Sequence, residues 1–214
     1  MTVTTDQIAS TDEITTDAEL TALIGEPIQR VRDKVRPVLH VLDRQWLAAS
    51  PFCLVATSDA DGPCDVSPKG DPAGQLAYVV DERTIAIAER PGNKRMDGYR
   101  NILANPHVGL IFFIPGRGDT LRINGRARLV RSADFFESMV VKGHRPILAL
   151  VVEIEEVFHH CAKAFLRSQL WEPETWRDPV PPRAVIAKTL DAPDQTLAQL
   201  TAYYGEQYRE KLYR

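Results

Sequence analysis

VGLIFFIPGRGDTLRINGRARLV, residues 108–130, decides the fold class because it has the form of two strands joined by a turn. Its first part is a continuous apolar run, and residues 115–119 (PGRGD) then supply the Pro and Gly of a turn. In the second part, apolar Leu121 and Ile123 alternate with polar residues, which is the period of a strand with one buried face. We therefore predict a long antiparallel hairpin here.

Two shorter hairpins are predicted upstream of this one. Residues 52–57 are strand-like, and the turn signal at 59–62 leads into a second extended segment. Another pair of short apolar segments, 76–80 and 84–88, flanks the turn residues 81–83. Together with the first hairpin, these segments predict six closely spaced strands.

One helix and one long strand complete the predicted sheet. Apolar residues recur at helical spacing over 94–105 and stop at Asn105-Pro106, and the apolar run over 147–158 predicts a seventh, buried strand. Antiparallel hairpins without alternating helices argue against a doubly wound sheet. We predict an α+β fold that is mainly β, namely an antiparallel split β-barrel with peripheral helices.

The chain divides into four predicted parts around this barrel. A disordered acidic tail is expected over 1–15 and a helical extension over 16–50, whose start has the Thr-x-x-Glu pattern of a helix cap. The split barrel is expected to span 51–171. Residues 172–214 are predicted to form a loop and a C-terminal helix that packs on the barrel, with apolar residues at helical spacing over 197–212.

The composition is that of an ordinary globular protein, with 44% hydrophobic and 26% charged residues in 214. The formal net charge is −3, although residues 1–20 alone carry five acids and no bases. The nearly neutral body argues against nucleic-acid binding, and the longest apolar runs are too short to span a membrane. Three cysteines without CxxC spacing, and a start without an export signal, predict free thiols in the cytoplasm.

The run His159-His160-Cys161 is the strongest candidate for metal or nucleophile chemistry. Successive strand residues point to opposite faces, so three neighbours cannot ligate one ion, and Cys161 is separated from a neighbouring His base. Gly-rich nucleotide motifs are also absent, because Leu121 stands where a GxGxxG motif starting at Gly116 needs its third Gly. We therefore expect no metal site and no Rossmann or P-loop cofactor.

Two loops and one strand face carry groups that suit an anion. The segment 65–70 supplies a hydroxyl and an amine, and residues 90–95 (RPGNKR) place bases at a helix N-terminus, where an anion is already favoured. The polar face of the strand over 120–126 adds further basic groups. These patterns fit a bound phosphate-bearing ligand, and they equally fit a solvated basic surface.

Three motifs follow one another in an order that resembles a known family. ATSDADGP at 56–63 forms the first turn, GNKR at 92–95 precedes a helix ending in Asn105-Pro106, and LRINGRA lies at 121–127. Over roughly residues 50–171, the chain resembles the pyridoxamine 5′-phosphate oxidase-like superfamily of FMN-binding split barrels. The resemblance implies an FMN-bearing homodimer with the flavin at the subunit interface, acting as an oxidoreductase on a small-molecule substrate.

By position, the resemblance implies a set of cofactor-binding residues, while it singles out no catalytic acid or base. Lys94 and Arg95 resemble a clamp for the FMN phosphate, and Thr120 and Arg122 resemble residues beside the flavin. A phosphate needs charge-assisted donors of this kind. The full implied set is Ser67, Lys69, Asn93, Lys94, Arg95, Thr120, Arg122, Lys163, Arg167 and Trp171.

Two departures from the family pattern argue against pyridoxamine phosphate as the substrate. Ser67 falls where the oxidase has an Arg on its phosphate, and no Arg-x-His pair occurs near the C-terminus. The chain is closer to a bacterial branch with a long helical N-terminal extension and the SPKGD and RPGNKR loops. The alternative is a non-catalytic cofactor-binding module, a carrier or stress protein for haem, F420 or a flavin, in which His159 or His160 would be the haem ligand.

Overall fold

The computed structural model describes residues 12–205, 208, 212 and 213, and a seven-stranded sheet dominates them. Most of the predicted acidic tail, residues 1–11, lies outside the described residues. The strands are β1 (Phe52–Ser58), β2 (Cys64–Gly70), β3 (Ala77–Val79), β4 (Thr84–Ala88), β5 (His107–Phe113), β6 (Thr120–Val130) and β7 (Ala149–His160).

The sheet is antiparallel throughout, with the strand order β2-β1-β5-β6-β7-β4-β3. The three predicted hairpins are confirmed as the pairs β1–β2, β3–β4 and β5–β6. The terminal strands β2 and β3 each have one partner in the sheet, so the sheet is not closed. This is the predicted split barrel.

The register of the long β6–β7 pair shifts between Asn124 and Gly125, which is typical of a β-bulge. A Cβ atom added to Gly125 would lie 2.0 Å from the backbone oxygen of Glu153, far inside van der Waals contact. Only glycine fits this position, because any side chain would push β6 and β7 apart. The irregular register at this point therefore depends on a residue without a side chain.

The core lies inside the curved sheet and is closed on one side by a helix. Leu121 and Ile123 are fully buried there, as their alternation predicts. Helix α4 (Asp97–Ala104) contacts β1, β2 and β6 and buries Ile102 among them. A smaller cluster on the other face of β4 and β7 lies under the 3₁₀ helix Asp134–Met139.

The described helices are α1 (Asp17–Ile24), α2 (Gln29–Arg32), α3 (Val41–Ala49), α4, α5 (Lys163–Ser168), α6 (Arg183–Leu190) and α7 (Leu197–Tyr203). The cap predicted at the start of α1 is confirmed, since Thr16 and Glu19 exchange both capping hydrogen bonds. Helix α6 was not predicted. Helix α7 ends at Tyr203, Tyr208 is again helical and Leu212 lies in a turn, while residues 206, 207 and 209–211 of the predicted helix lie outside the described residues.

Two compact units divide the chain between Val35 and Arg36. The first unit contains α1 and α2. The second begins with Arg36, whose backbone exchanges two hydrogen bonds with Val157 of β7, and it contains the whole sheet. Helix α3 therefore belongs to the same unit as the barrel.

Candidate functional site

A cleft of about 650 Å³ lies at the open edge of the sheet, between β2, the segment after β4 and the start of α4. Lys69 pairs directly with the buried Cys53 across the β1–β2 ladder, and Ser67 pairs with the buried Val55. Cross-strand partners share one face, so both polar side chains point to the inner side of the sheet. Asn93 and Arg95 line the same cleft from the loop before α4.

Lys69 is held at this edge by two acceptors. Its Nζ atom lies 2.6 Å from Oε2 of Glu89 and 2.9 Å from the hydroxyl of Tyr99. The Tyr99 hydroxyl donates to the same Glu89 oxygen. Burial, then the hydrogen bond and charge of Glu89, raise the pKa of Tyr99 far above its usual value, so this phenol stays neutral.

Ser67 and Arg95 also hold carboxylates. The Ser67 hydroxyl donates to Oδ2 of Asp65 at 2.8 Å, and the Arg95 guanidinium forms an ion pair with Asp97. Asp65 lies against the first turn of α4, where a Cβ on Gly98 would come within 3.0 Å of its Oδ2. Glycine at this position permits the close approach of the helix to β2.

The loop before α4 presents Lys94 outward. Asn93 Oδ1 accepts a hydrogen bond of 2.9 Å from the backbone N–H of Arg95, which stabilises a tight local turn. Lys94 has a left-handed φ of 60° and an exposed side chain. Within the described part of the chain, its ammonium group has no hydrogen-bond or ion-pair partner.

Arg90 is a structural residue of the cleft wall that the sequence interpretation did not single out. Its guanidinium donates to Asp71 at 2.8 Å and to the backbone oxygen of Met139 at 2.8 Å, and Asp71 also accepts from the hydroxyl of Tyr213 at 3.0 Å. The buried Asp71 and the mostly buried Arg90 therefore join three segments. The sequence contained one indication of this ion pair, because Asp71 ends the SPKGD loop and Arg90 begins the RPGNKR loop.

Thr120 and Arg122 lie elsewhere, on β6. Arg122 pairs with Ile111 and Phe158, and its guanidinium carbon lies 5.1 Å from the centre of the Phe158 ring. Among the described residues, the buried Nε of Arg122 has no hydrogen-bond partner. Thr120 is buried at the start of the strand.

Lys163, Arg167 and Trp171 follow β7 and lie near the β5–β6 turn. Lys163 and Arg167 are exposed on α5, while the indole N–H of Trp171 donates to the backbone oxygen of Arg117 at 2.7 Å. The described lining of the 650 Å³ cleft includes neither these three residues nor Thr120 and Arg122. One chain therefore brings together Ser67, Lys69, Asn93 and Arg95, with Lys94 in the same loop, and leaves the other five apart.

His159 belongs to an ion-pair cluster around the buried Asp43. Its Nε2 lies 3.1 Å from Oδ1 of the buried Asp43, which also receives two hydrogen bonds from Arg36 at 2.6 and 2.9 Å. Burial alone would raise the pKa of Asp43, but the hydrogen bonds from Arg36 and His40 and the charges of Arg36 and His159 hold it below its usual range. Within the described residues, no group of three or more His, Cys, Asp or Glu could hold a metal ion.

The face of β1, β2 and β5 that points away from the core is apolar, and we call it the outer sheet face. Leu54 pairs with Ile111 and Phe52 with Phe113, while the alternate residues of these strands are buried in the core. Val66 extends this face onto β2 and is 57% exposed. An exposed apolar face of this kind is typical of protein–protein contact.

Comparison with family models connects this geometry with known proteins. Residues 43–161 match the family model described as pyridoxamine 5′-phosphate oxidase, which is more than half of the chain. The chain belongs to this family. The matched region begins at Asp43 and contains all seven strands, the outer sheet face and the cleft residues from Asp65 to Asp97.

Several solved structures are similar in part to this family member. HupZ of Group A Streptococcus is 20% identical, with a TM-score of 0.45, over 56% of this chain and 93% of that chain. An FMN-binding protein from Syntrophomonas wolfei is 13% identical, with a TM-score of 0.42, over 56% and 90%. A Clostridium acetobutylicum protein related to general stress protein 26 is 14% identical, with a TM-score of 0.43, over 56% and 86%.

Similarity at this level does not extend to function, so the assignment to the family rests on the family model. No curated protein matches the chain significantly. A search of the described helices found none with both the length and the apolar character needed to cross a membrane.

Proposed function

We propose that this protein is an FMN-binding flavoprotein that acts as an oxidoreductase on a small molecule. One observation carries the proposal: the donor groups of Ser67, Lys69 and Arg95 line one cleft, and each already holds a carboxylate oxygen. Donors arranged around oxyanions suit the phosphate of FMN. Membership of the pyridoxamine 5′-phosphate oxidase family supports the same ligand.

In this proposal, the phosphate is held by Ser67, Lys69, Lys94 and Arg95, which we call the phosphate clamp. Asn93 keeps the loop in the turn that presents Lys94 and Arg95. A bound flavin would accept and donate hydride, and the protein's part is to bind and orient it. The geometry singles out no side chain as an acid or base for the substrate.

The proposal includes a homodimer, because the ten implied site residues do not meet in one chain. A partner covering the outer sheet face would remove its apolar residues from water, and it would bring groups of one protomer close to the cleft of the other. Arg122 and Phe158 lie beside this face on β6 and β7. The Nε of Arg122, which has no partner among the residues that the structure describes, supports a ligand or partner contact at this point.

A true pyridoxamine phosphate oxidase is not part of this proposal, given the Ser at position 67 and the missing Arg-x-His pair. The haem alternative gains no support from His159, since its Nε2 is engaged with Asp43. The non-catalytic flavin carrier differs from the enzyme in one measurable property, turnover of bound flavin by a reductant and an oxidant.

All three cysteines are free, which supports a reducing, cytoplasmic compartment.

The clamp is tested by replacing both Lys94 and Arg95 with Ala and titrating the apoprotein with FMN. Losing two charge-assisted phosphate contacts should weaken binding at least about 100-fold. Riboflavin lacks the phosphate, so its affinity should change little. A double replacement of the exposed Arg44 and Arg177 with Ala changes the net charge equally and should leave FMN binding intact. Unchanged FMN affinity in the Lys94/Arg95 variant would remove the clamp from the site.

A further inference from the structure

The cations of the phosphate clamp are matched by an equal number of carboxylates. Lys69 and Arg95 line the cleft and Lys94 lies in the loop beside it, so together they supply three positive charges. We call Asp65, Glu89 and Asp97, which supply three negative charges in the same cleft, the internal carboxylates. Arg90 and Asp71 neutralise each other in the cleft wall. A phosphate dianion that enters the cleft therefore meets no net positive charge.

The internal carboxylates differ in how firmly they are held. Glu89 is bound by Lys69 and Tyr99, and the Lys69 and Glu89 side chains are only 18% and 25% exposed. Asp97 is bound to Arg95, in a pair that is 77% and 36% exposed, and its other oxygen lies 3.9 Å from Nη1 of the exposed Arg100. Exposed ion pairs are weak and are easily exchanged. Asp97 is therefore the carboxylate that a phosphate can displace at the lowest cost.

The guanidinium of Arg95 cannot bind Asp97 and a phosphate through the same N–H group at once. Its Nε contacts Asp97, so a phosphate that takes the Nε edge of the guanidinium fork must displace this carboxylate. After this exchange, the freed Asp97 carboxylate remains at the first position of α4, beside the bound anion. Repulsion between the two then opposes binding at short range.

We propose that Asp97 is an internal competitor for the phosphate site, which a phosphate monoester must displace from Arg95 in order to bind. The inference rests on the phosphate clamp proposed above and adds its regulation. In the free protein, Asp97 keeps Arg95 neutralised and turned away from other anions. The competitor lowers the affinity for the phosphate-bearing ligand, so the ligand can be exchanged.

The test is the FMN affinity of Asp97→Asn, measured with full-length apoprotein by quenching of flavin fluorescence. Removing the competing charge should tighten FMN binding about threefold to tenfold. Riboflavin affinity should stay the same, because this ligand has no phosphate. The matched control is Asp191→Asn, which removes one carboxylate from the exposed Arg183–Asp191 pair outside the cleft and should leave FMN affinity unchanged. Asp97→Ser provides a second variant that also suits a helix start.

The possible outcomes separate this inference from the proposed function. If wild type binds FMN, and both Asp97 variants bind it equally or more weakly while remaining folded, Asp97 is no competitor and the clamp still stands. If wild type binds no FMN, the proposed function fails. Calorimetric titration with inorganic phosphate then decides the inference, since tighter binding by Asp97→Asn supports it and equal or weaker binding overturns it.

Discussion

Asp43 shows how one buried charge can stabilise the region next to the barrel. It is 1% exposed and joins α3 to the bridge residue Arg36 and to His159 at the end of β7. Removing one member of a buried ion pair leaves the other without compensation, which costs more than the pair itself contributes.

We expect Asp43→Asn to lower the free energy of unfolding by about 3 kcal/mol at pH 7, as measured by urea denaturation. The stability that comes from its lowered pKa is present above the unfolded value of about 3.9 and is lost as the pH falls through the lower folded pKa. Stability should therefore depend less steeply on pH below about pH 4 in the variant than in wild type. Asp191→Asn, in an exposed pair, should change stability by less than about 0.5 kcal/mol. Equal effects of the two variants would contradict this role for Asp43.

At the residue scale, the sequence predicts which donors lie in the loops but not what they contact. The segments around Ser67 and Lys94 are recognisable because they place a hydroxyl and bases beside predicted turns. The carboxylates that pair with them come from β2, from the end of β4 and from α4. Such pairing depends on how strands and helix are brought together, and no spacing along the chain contains that information. The pairing of Asp43 with His159, 116 residues away, also depends on tertiary packing and could not be predicted from the sequence.

At the element scale, local turn chemistry makes the three hairpins predictable. Each turn contains Gly, Pro or Asp between two strand-like segments. The bounds of β4 and β6 agree with the prediction. Helix α6 was missed because it lies in a Pro-rich region, and its buried face is small, consisting of Ala184 and Ala187 packed against α7. Short alanine faces give little hydrophobic periodicity.

The bulge in β6–β7 provides the prediction at this scale. Gly125→Ala should lower the free energy of unfolding by about 3 kcal/mol or more, because the new methyl group would overlap the backbone of Glu153. Thermal unfolding followed by circular dichroism measures the loss. Gly70→Ala is the control within a strand, since its Cβ would meet its nearest atoms at 3.6 and 3.7 Å, and it should cost less than about 1 kcal/mol. An equally stable Gly125→Ala variant would mean that the strands can separate at this point.

At the scale of the whole molecule, the proposed dimer accounts for the exposed apolar side chains of the outer sheet face. Phe52→Lys places a charge on this face at a position that is 39% exposed in the single chain and outside the described lining of the cleft, so the protomer should still fold. We expect sedimentation to show a dimer for wild type and at least a tenfold weaker dimer for the variant. Its flavin content should fall in parallel, because each cofactor is proposed to contact both chains.

The control for this variant is Leu190→Lys, which charges an apolar position on α6 that is 74% exposed and does not belong to the outer sheet face. It should leave both the dimer and the flavin content as in wild type. A monomeric wild-type protein that binds FMN fully would contradict the shared site. Sequence could suggest this assembly only through the family resemblance, since an alternating strand pattern does not show whether its second face meets water or a partner.

The visible absorption spectrum of the purified protein, with the released cofactor identified by mass, tests the central claim most directly. We predict flavin bands and release of FMN, or uptake of one FMN per chain when the protein is purified without cofactor. A haem absorption band, or a colourless protein that fails to take up added FMN, would contradict the account.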